Sequence, residues 1–322
     1  MGRFLETSTI QSKRLVELAK RHPITTGLLI GAAVNKAAGE ILYSNNGPTR
    51  VVSQPYDGPT PIATGIAFPG MGNSGDGGAK MARCFSEIMP GEPWGHMQYD
   101  NSKILTVPIL ANALKEHMND TGAQFADFYT SSTGGVIALE ASHSAGVPIR
   151  TLIINSGPYS LQDGYGSKLG SLAAKLPDTG PLGKGIGTVI ANIVRPGSMS
   201  IRENLSHAIG EITEGSTKLF KGQVGILKEF DPDNEWRKYD NVIIPGFTQA
   251  LFISPPPGKD DTVRVGHAFR GWEGFFDRWG ITLDRVIMPD GIHAETESAI
   301  EPIKEWLSGS QLEKVVFSRG KQ

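Results

Sequence analysis

The chain has 322 residues, 39% of them hydrophobic, enough to bury a sizeable core as one elaborated domain. Its 31 basic and 33 acidic residues leave a formal charge of -2, so composition offers no nucleic-acid surface. A single cysteine, Cys84, excludes an intrachain disulfide framework and a multi-cysteine metal site, and it favours a reducing compartment, the cytoplasm.

At the N-terminus, Arg3, Lys13, Arg14, Lys20 and Arg21 precede "PITTGLLIGAAV" in the charge-then-apolar order of an export signal. The apolar run is too short to span a bilayer, and the basic stretch is long for a signal. "QSKRLVELAKRH" has the period of an amphipathic helix, so a peripheral helix that packs on the domain or touches a membrane is the favoured reading. Residues 1–58 form an N-terminal extension on this reading, ending in the turn-rich "SNNGPTRVVSQPYDGPTP" with a short strand inside it.

Apolar runs then alternate with segments of helical period. "ATGIAF", "GHMQYD", "FADFYTS" and "RTLIINS" read as strands, separated by helices at "GGAKMARCFSEIM", "VPILANALKEHMND" and "GGVIALEASHSAG". The alternation predicts an α/β fold with a mostly parallel central sheet and helices on both faces. It lapses from 159 to 240, which reads as an inserted helical cap. It resumes with the strand "QALFIS", a helix near "HAFRGWEGFFDRW", the strand "LDRVIM" and a helix over "ESAIEPIKEWLSG". The core is thus 59–158 with 241–310, followed by a tail over 311–322.

Two loops carry candidate chemistry. In "PGMGNSGDGGAK", Gly70, Gly72 and Gly75 have G-x-G-x-x-G spacing after a strand, and the next strand ends in Asp100. That pattern suits a dinucleotide, whose pyrophosphate sits at a helix N-terminus while the acid holds a ribose. The same glycines also suit a tight turn, or a loop that lends a backbone N–H to an oxyanion. The second loop is "TSSTGG", where Ser132, Thr133, Gly134 and Gly135 follow a strand and open a helix. A serine on such a turn is exposed at the sheet edge beside free helix N–H groups. Thr130 is bulky for the position two residues before it, and Ser131 reads as a turn hydroxyl.

The Ser132 turn resembles the G-x-S-x-G elbow of the α/β-hydrolase family, with Thr130 replacing the first glycine, and on motif order the resemblance runs over about residues 60–310. Family order is serine, acid after a late strand, histidine after the last strand. The resemblance therefore implies Ser132 as nucleophile, Asp261 of "PPPGKDDTV" as acid with Asp260 as the alternative, and His293 of "PDGIHAE" as base. "FPGMG" is similar to the family's H-G-x-G segment, with Pro69 replacing histidine, and so implies an oxyanion hole from the Met71 and Thr133 amides. His267 is the rival base, His143 a structural histidine and His207 a cap residue. The implied activity is hydrolysis of a carboxylester or lipid-like acyl ester through an acyl-enzyme, without metal or cofactor. The competing classes are a non-catalytic binding protein on the same fold and a dinucleotide binder using Gly70, Gly72 and Gly75. Expected partners are a small or lipid-like acyl ester and a membrane surface touched by the N-terminal segment, with no nucleic acid.

Overall fold

A computed structural model describes residues 47–71, 76–164, 216–260, 262–288, 291 and 293–309. The N-terminal amphipathic segment, Gly72, Gly75, most of the expected cap including His207, Asp261 and the tail lie outside them.

Seven strands form one sheet: β1 Arg50–Ser53, β2 Ala63–Phe68, β3 Trp94–Gln98, β4 Phe125–Ser131, β5 Ile149–Asn155, β6 Gln249–Ser254 and β7 Leu283–Ile287. Their order is β1-β3-β2-β4-β5-β6-β7. All neighbours pair parallel except β1, which runs antiparallel to β3 from Arg50↔Gln98 to Ser53↔Gly95. β1 falls within the residues read as an extension, so the sheet begins before residue 59. β2 and β5 are buried at every residue, as strands covered on both faces must be. From β2 the chain steps outward to β3, then crosses back to place β4 on the other side of β2. This makes the gap between the carboxyl ends of β2 and β4 a topological switch point, where open α/β sheets receive their ligands.

The helices are α1 Asp76–Ile88, α2 Val107–Thr121, α3 Gly134–Ala145, α4 Thr217–Glu229, the short α5 Pro232–Glu235, α6 Val265–Asp277 and α7 Glu297–Gly309. α1 and α7 cover one face, where Met81, Phe85 and Ile303 meet Tyr129, Ile153 and Leu251. α2, α3, α4 and α6 belong to the other face, where Leu114, Val136, Leu227 and Trp272 meet Phe128, Ile154 and Phe252. Each large apolar side chain buried this way contributes about 1.5–3 kcal/mol. α3 is buried at every residue from Gly134 to Ser142, enclosed by the sheet, α2 and α4. The last part of the stretch read as a cap therefore belongs to the core.

At the amino ends of β4 and β5, one guanidinium serves two carboxylates, Asp127 buried and Glu92 part-buried. Arg150 Nε donates to Asp127 Oδ1 at 3.0 Å, and its Nη2 bonds both Asp127 and Glu92. One positive charge cannot fully compensate two negative ones, and the Glu92 carboxyl is pushed up to about 8, by burial first and by the Asp127 charge next. The folded state thus holds this proton more tightly than the unfolded chain, whose carboxyl titrates near 4.5. The resulting stability is complete below that value and is lost as pH rises through about 8. Glu92→Gln keeps the shape and stays neutral, so it is expected to flatten the decline in Tm between about pH 4.5 and 8. A variant with the wild-type slope would show that Glu92 is ionised in the folded protein.

Candidate active site

β4 ends at Ser131 and α3 begins at Gly134, leaving Ser132 and Thr133 to make the turn between them. Ser132 takes φ 50°, a left-handed conformation that costs a non-glycine residue about 1–2 kcal/mol. The turn is held by the Ser132 N–H, which donates to Asn155 O at 2.9 Å, and by the Gly135 N–H, which reaches Ser132 O at 3.4 Å. A half-buried hydroxyl is thereby fixed at the carboxyl end of the central strand, at the switch point.

Glycines permit this crowding. A Cβ on Gly134 would lie 2.4 Å from Phe68 O, and one on Gly70 would lie 2.9 Å from Ser132 Cβ and 3.0 Å from Ser131 O. The loop after β2, the elbow and the start of α3 therefore touch through backbone. Gly134→Ala is expected to lower stability by about 1–3 kcal/mol through overpacking, read as a lower urea midpoint with unchanged m. A midpoint equal to that of the wild type would contradict this packing. Thr130, the bulky departure from the elbow pattern, is fully buried, and its Oγ1 donates to Ile153 O at 2.9 Å. A Cβ on Gly135 would meet Thr130 Oγ1 at 3.4 Å, an ordinary contact, so the threonine sits in the elbow by its own hydrogen bond. With the threonine in that position the elbow keeps its left-handed serine.

The carboxylate that reaches His293 is that of Asp260. Its Oδ1 accepts the N–H groups of Thr262 and Val263 at 2.8 and 2.7 Å, while Oδ2 lies 2.8 Å from His293 Nδ1. The expected acid, Asp261, lies outside the described residues. Two backbone donors fix a buried carboxylate in one orientation, and Nδ1–H donation to it leaves His293 Nε2 as the basic nitrogen.

The histidine loop is docked on β5. The Ala294 N–H donates to Ser156 Oγ at 3.2 Å, and Asn155 Nδ2 donates to Glu295 O at 3.0 Å and to Tyr129 Oη at 2.8 Å. Asn155 accordingly ties two loops together, its carbonyl holding the elbow and its side chain the histidine loop. Among the described residues no hydrogen bond joins Ser132 Oγ to the His293 ring. Ser132, Ser156 and Ala294 are the non-glycine residues with positive φ among those described, and all three belong to this assembly. Backbone strain gathers where surrounding structure holds a working geometry. Asn155 and Ser156 carried no motif in the sequence; the only trace was a polar pair ending the apolar strand "TLII".

Gly70 precedes Met71 beside the elbow, and Thr133 opens α3. Among the described residues neither Met71 nor Thr133 donates a backbone hydrogen bond, and Thr133 Oγ1 is buried without a partner. The remaining candidates find other roles. His267 pairs with the buried Asp163, but its side chain is 60% exposed against 17% for His293, and it borders a separate cavity of about 410 Å³ with Tyr159 and Arg270. Asp163 also accepts the N–H groups of Tyr159 and Ser160 at 2.8 Å each, which makes it a loop-fixing carboxylate. His143 Nδ1 is 3.2 Å from Asn241 Oδ1. Asp100 Oδ1 accepts the N–H and hydroxyl of Ser102 and Oδ2 lies 3.6 Å from Lys103 Nζ, so its carboxylate takes part in a local turn. A cavity of about 620 Å³ lines Thr248, Gln249 and Asp284, at the opposite end of the strands from Ser132. Among the described residues no group of three His, Cys, Asp or Glu side chains is arranged to hold a metal ion, and no helix is long and apolar enough to cross a membrane.

No family model and no curated protein matches the chain. Solved structures do. A carboxylesterase structure from Nitrososphaera gargenis has a TM-score of 0.55 at 10% identity, covering 84% of this chain and 96% of that one. A hydrolase from Pseudomonas aeruginosa has a TM-score of 0.50 at 11% identity, covering 82% and 98%. A metagenome-derived lipolytic enzyme gives 0.50 at 11%, covering 83% and 99%. The chain has the α/β-hydrolase fold, with the mostly parallel sheet and two-sided helices expected from its sequence.

Proposed function

We propose that the protein is a serine hydrolase that cleaves a carboxylester or lipid-like acyl ester, with Ser132 as nucleophile, His293 as base and Asp260 as the acid that orients it. The observation that carries this reading is the Asp260–His293 pair, docked through Asn155 and Ser156 onto the strained Ser132 turn. In the first step His293 Nε2 takes the Ser132 proton as Oγ bonds to the ester carbon, and the carbonyl oxygen becomes an oxyanion facing the Met71 and Thr133 amides. The carbon–alkoxy bond then breaks, and the leaving oxygen collects the proton from His293. Water repeats the sequence on the acyl-enzyme, giving up its proton to His293 and releasing the acid with Ser132 restored. Asp260 accepts the Nδ1–H throughout and holds the imidazole in one tautomer.

The fold supports hydrolytic chemistry by its kinship with esterases and hydrolases, while fold alone leaves the reaction open. The apolar runs "LGSLAAKL" and "GIGTVIANIV" favour an acyl chain as the part of the substrate enclosed. A cytoplasmic location, with membrane contact through the basic N-terminal segment, completes the reading. A series of p-nitrophenyl esters of increasing acyl length tests it. Turnover by the wild-type chain, favouring one length and lost in His293→Ala, is expected; no turnover of any ester above the buffer rate would overturn it.

A further inference from the structure

We infer that Gln223, on α4, is the positioning residue of the oxyanion hole: it fixes the Gly70–Met71 peptide so that the Met71 N–H faces the reacting carbonyl. This rests on Ser132 being the nucleophile. The peptide is trans, so its carbonyl and its N–H point in opposite directions. Gln223 is fully buried, and its Nε2 donates to Gly70 O at 3.2 Å. The carbonyl is thereby drawn toward α4, which turns the Met71 N–H away from α4, while Gly70 itself presses on Ser132. The preceding carbonyl is held as well, since Tyr99 Oη donates to Pro69 O at 3.3 Å. Without Gln223, the 70–71 peptide loses the bond that opposes a flip. A flipped peptide would aim a carbonyl oxygen at the developing negative charge in place of a donor.

α4 is seated closely enough to do this. Ser216, its N-cap, accepts the Leu219 N–H at 3.1 Å and donates to Asn101 O at 2.5 Å. A Cβ on Gly222 would lie 2.4 Å from Leu105 N and 2.5 Å from Leu105 O, so only glycine lets the helix lie on this backbone one residue before Gln223. Gln223 lies 153 residues after Gly70, so the orientation of the oxyanion peptide depends on a contact remote in sequence.

The test compares the full-length wild type with Gln223→Leu and Gln223→Met, which keep the bulk of the side chain and remove its donor. On the preferred p-nitrophenyl ester, kcat is expected to fall roughly 10- to 100-fold with KM within about twofold, somewhat less than the loss of an oxyanion donor itself. Inhibition by a trifluoromethyl ketone, whose hemiketal oxygen occupies the same hole, should weaken by a similar factor. Folded variants with wild-type kcat and wild-type ketone affinity would overturn the inference. So would failure of both variants to fold, which would make Gln223 a structural residue. A wild type that neither turns over esters nor reacts with a fluorophosphonate overturns the serine-hydrolase reading and takes this inference with it. An active wild type beside unaffected variants removes the inference alone.

Discussion

Ser132→Ala is expected to lower kcat for ester hydrolysis by about 10⁶-fold, to the rate left by oxyanion and binding interactions alone. Ser131→Ala is expected to leave it nearly unchanged. The two adjacent serines differ in backbone: Ser131 is the last residue of β4, paired with Asn155, whereas Ser132 has left the strand with φ 50°. Only the second is turned out of the sheet beside free N–H groups. Steady-state hydrolysis of one ester by the two variants checks this directly, and equal losses would place the chemistry elsewhere on the turn.

Asp260→Asn is expected to cost about 10⁴-fold in kcat with the fold intact, because an amide in place of the carboxylate selects the wrong imidazole tautomer. The Thr262 and Val263 N–H groups still find an oxygen acceptor, so Tm should fall only modestly. The corresponding change at Asp261 should leave kcat close to the wild-type value. A loss confined to Asp261→Asn would exchange the two acids. Neighbouring acids in a loop differ in which backbone donors they collect, and Asp260 Oδ1 collects two while its Oδ2 faces His293.

This pair of acids marks where sequence reading stops. "ALFISPPPGKDD" places an acidic loop after a late strand, yet spacing does not tell two consecutive carboxylates apart, because their directions depend on the turn that follows. Strands such as "ATGIAF" and "QALFIS" were legible to the residue, since they are apolar on both faces and bounded by turn residues. β1 was legible as a short strand but not as part of the sheet. Its partner lies about 45 residues away, and antiparallel pairing leaves no mark on so brief a segment. Gly70 looked like half of a phosphate-binding motif; its requirement comes from the Ser132 side chain beneath it, a long-range contact. Thr130 looked like damage to the elbow, and only the buried hydrogen bond to Ile153 explains why it is tolerated. Asn155 and Gln223 were invisible for the same reason. Each acts through a backbone carbonyl or a loop remote in sequence, and such bonds demand only an amide in the right place.

The central claim is that Ser132 is an activated nucleophile. Incubating the full-length chain with a fluorophosphonate and mapping the adduct by peptide mass spectrometry tests it most directly. The account predicts one phosphonylated residue, Ser132, with labelling slowed severely in His293→Ala. An unlabelled wild-type chain, or an adduct on another residue that persists in Ser132→Ala, would contradict it.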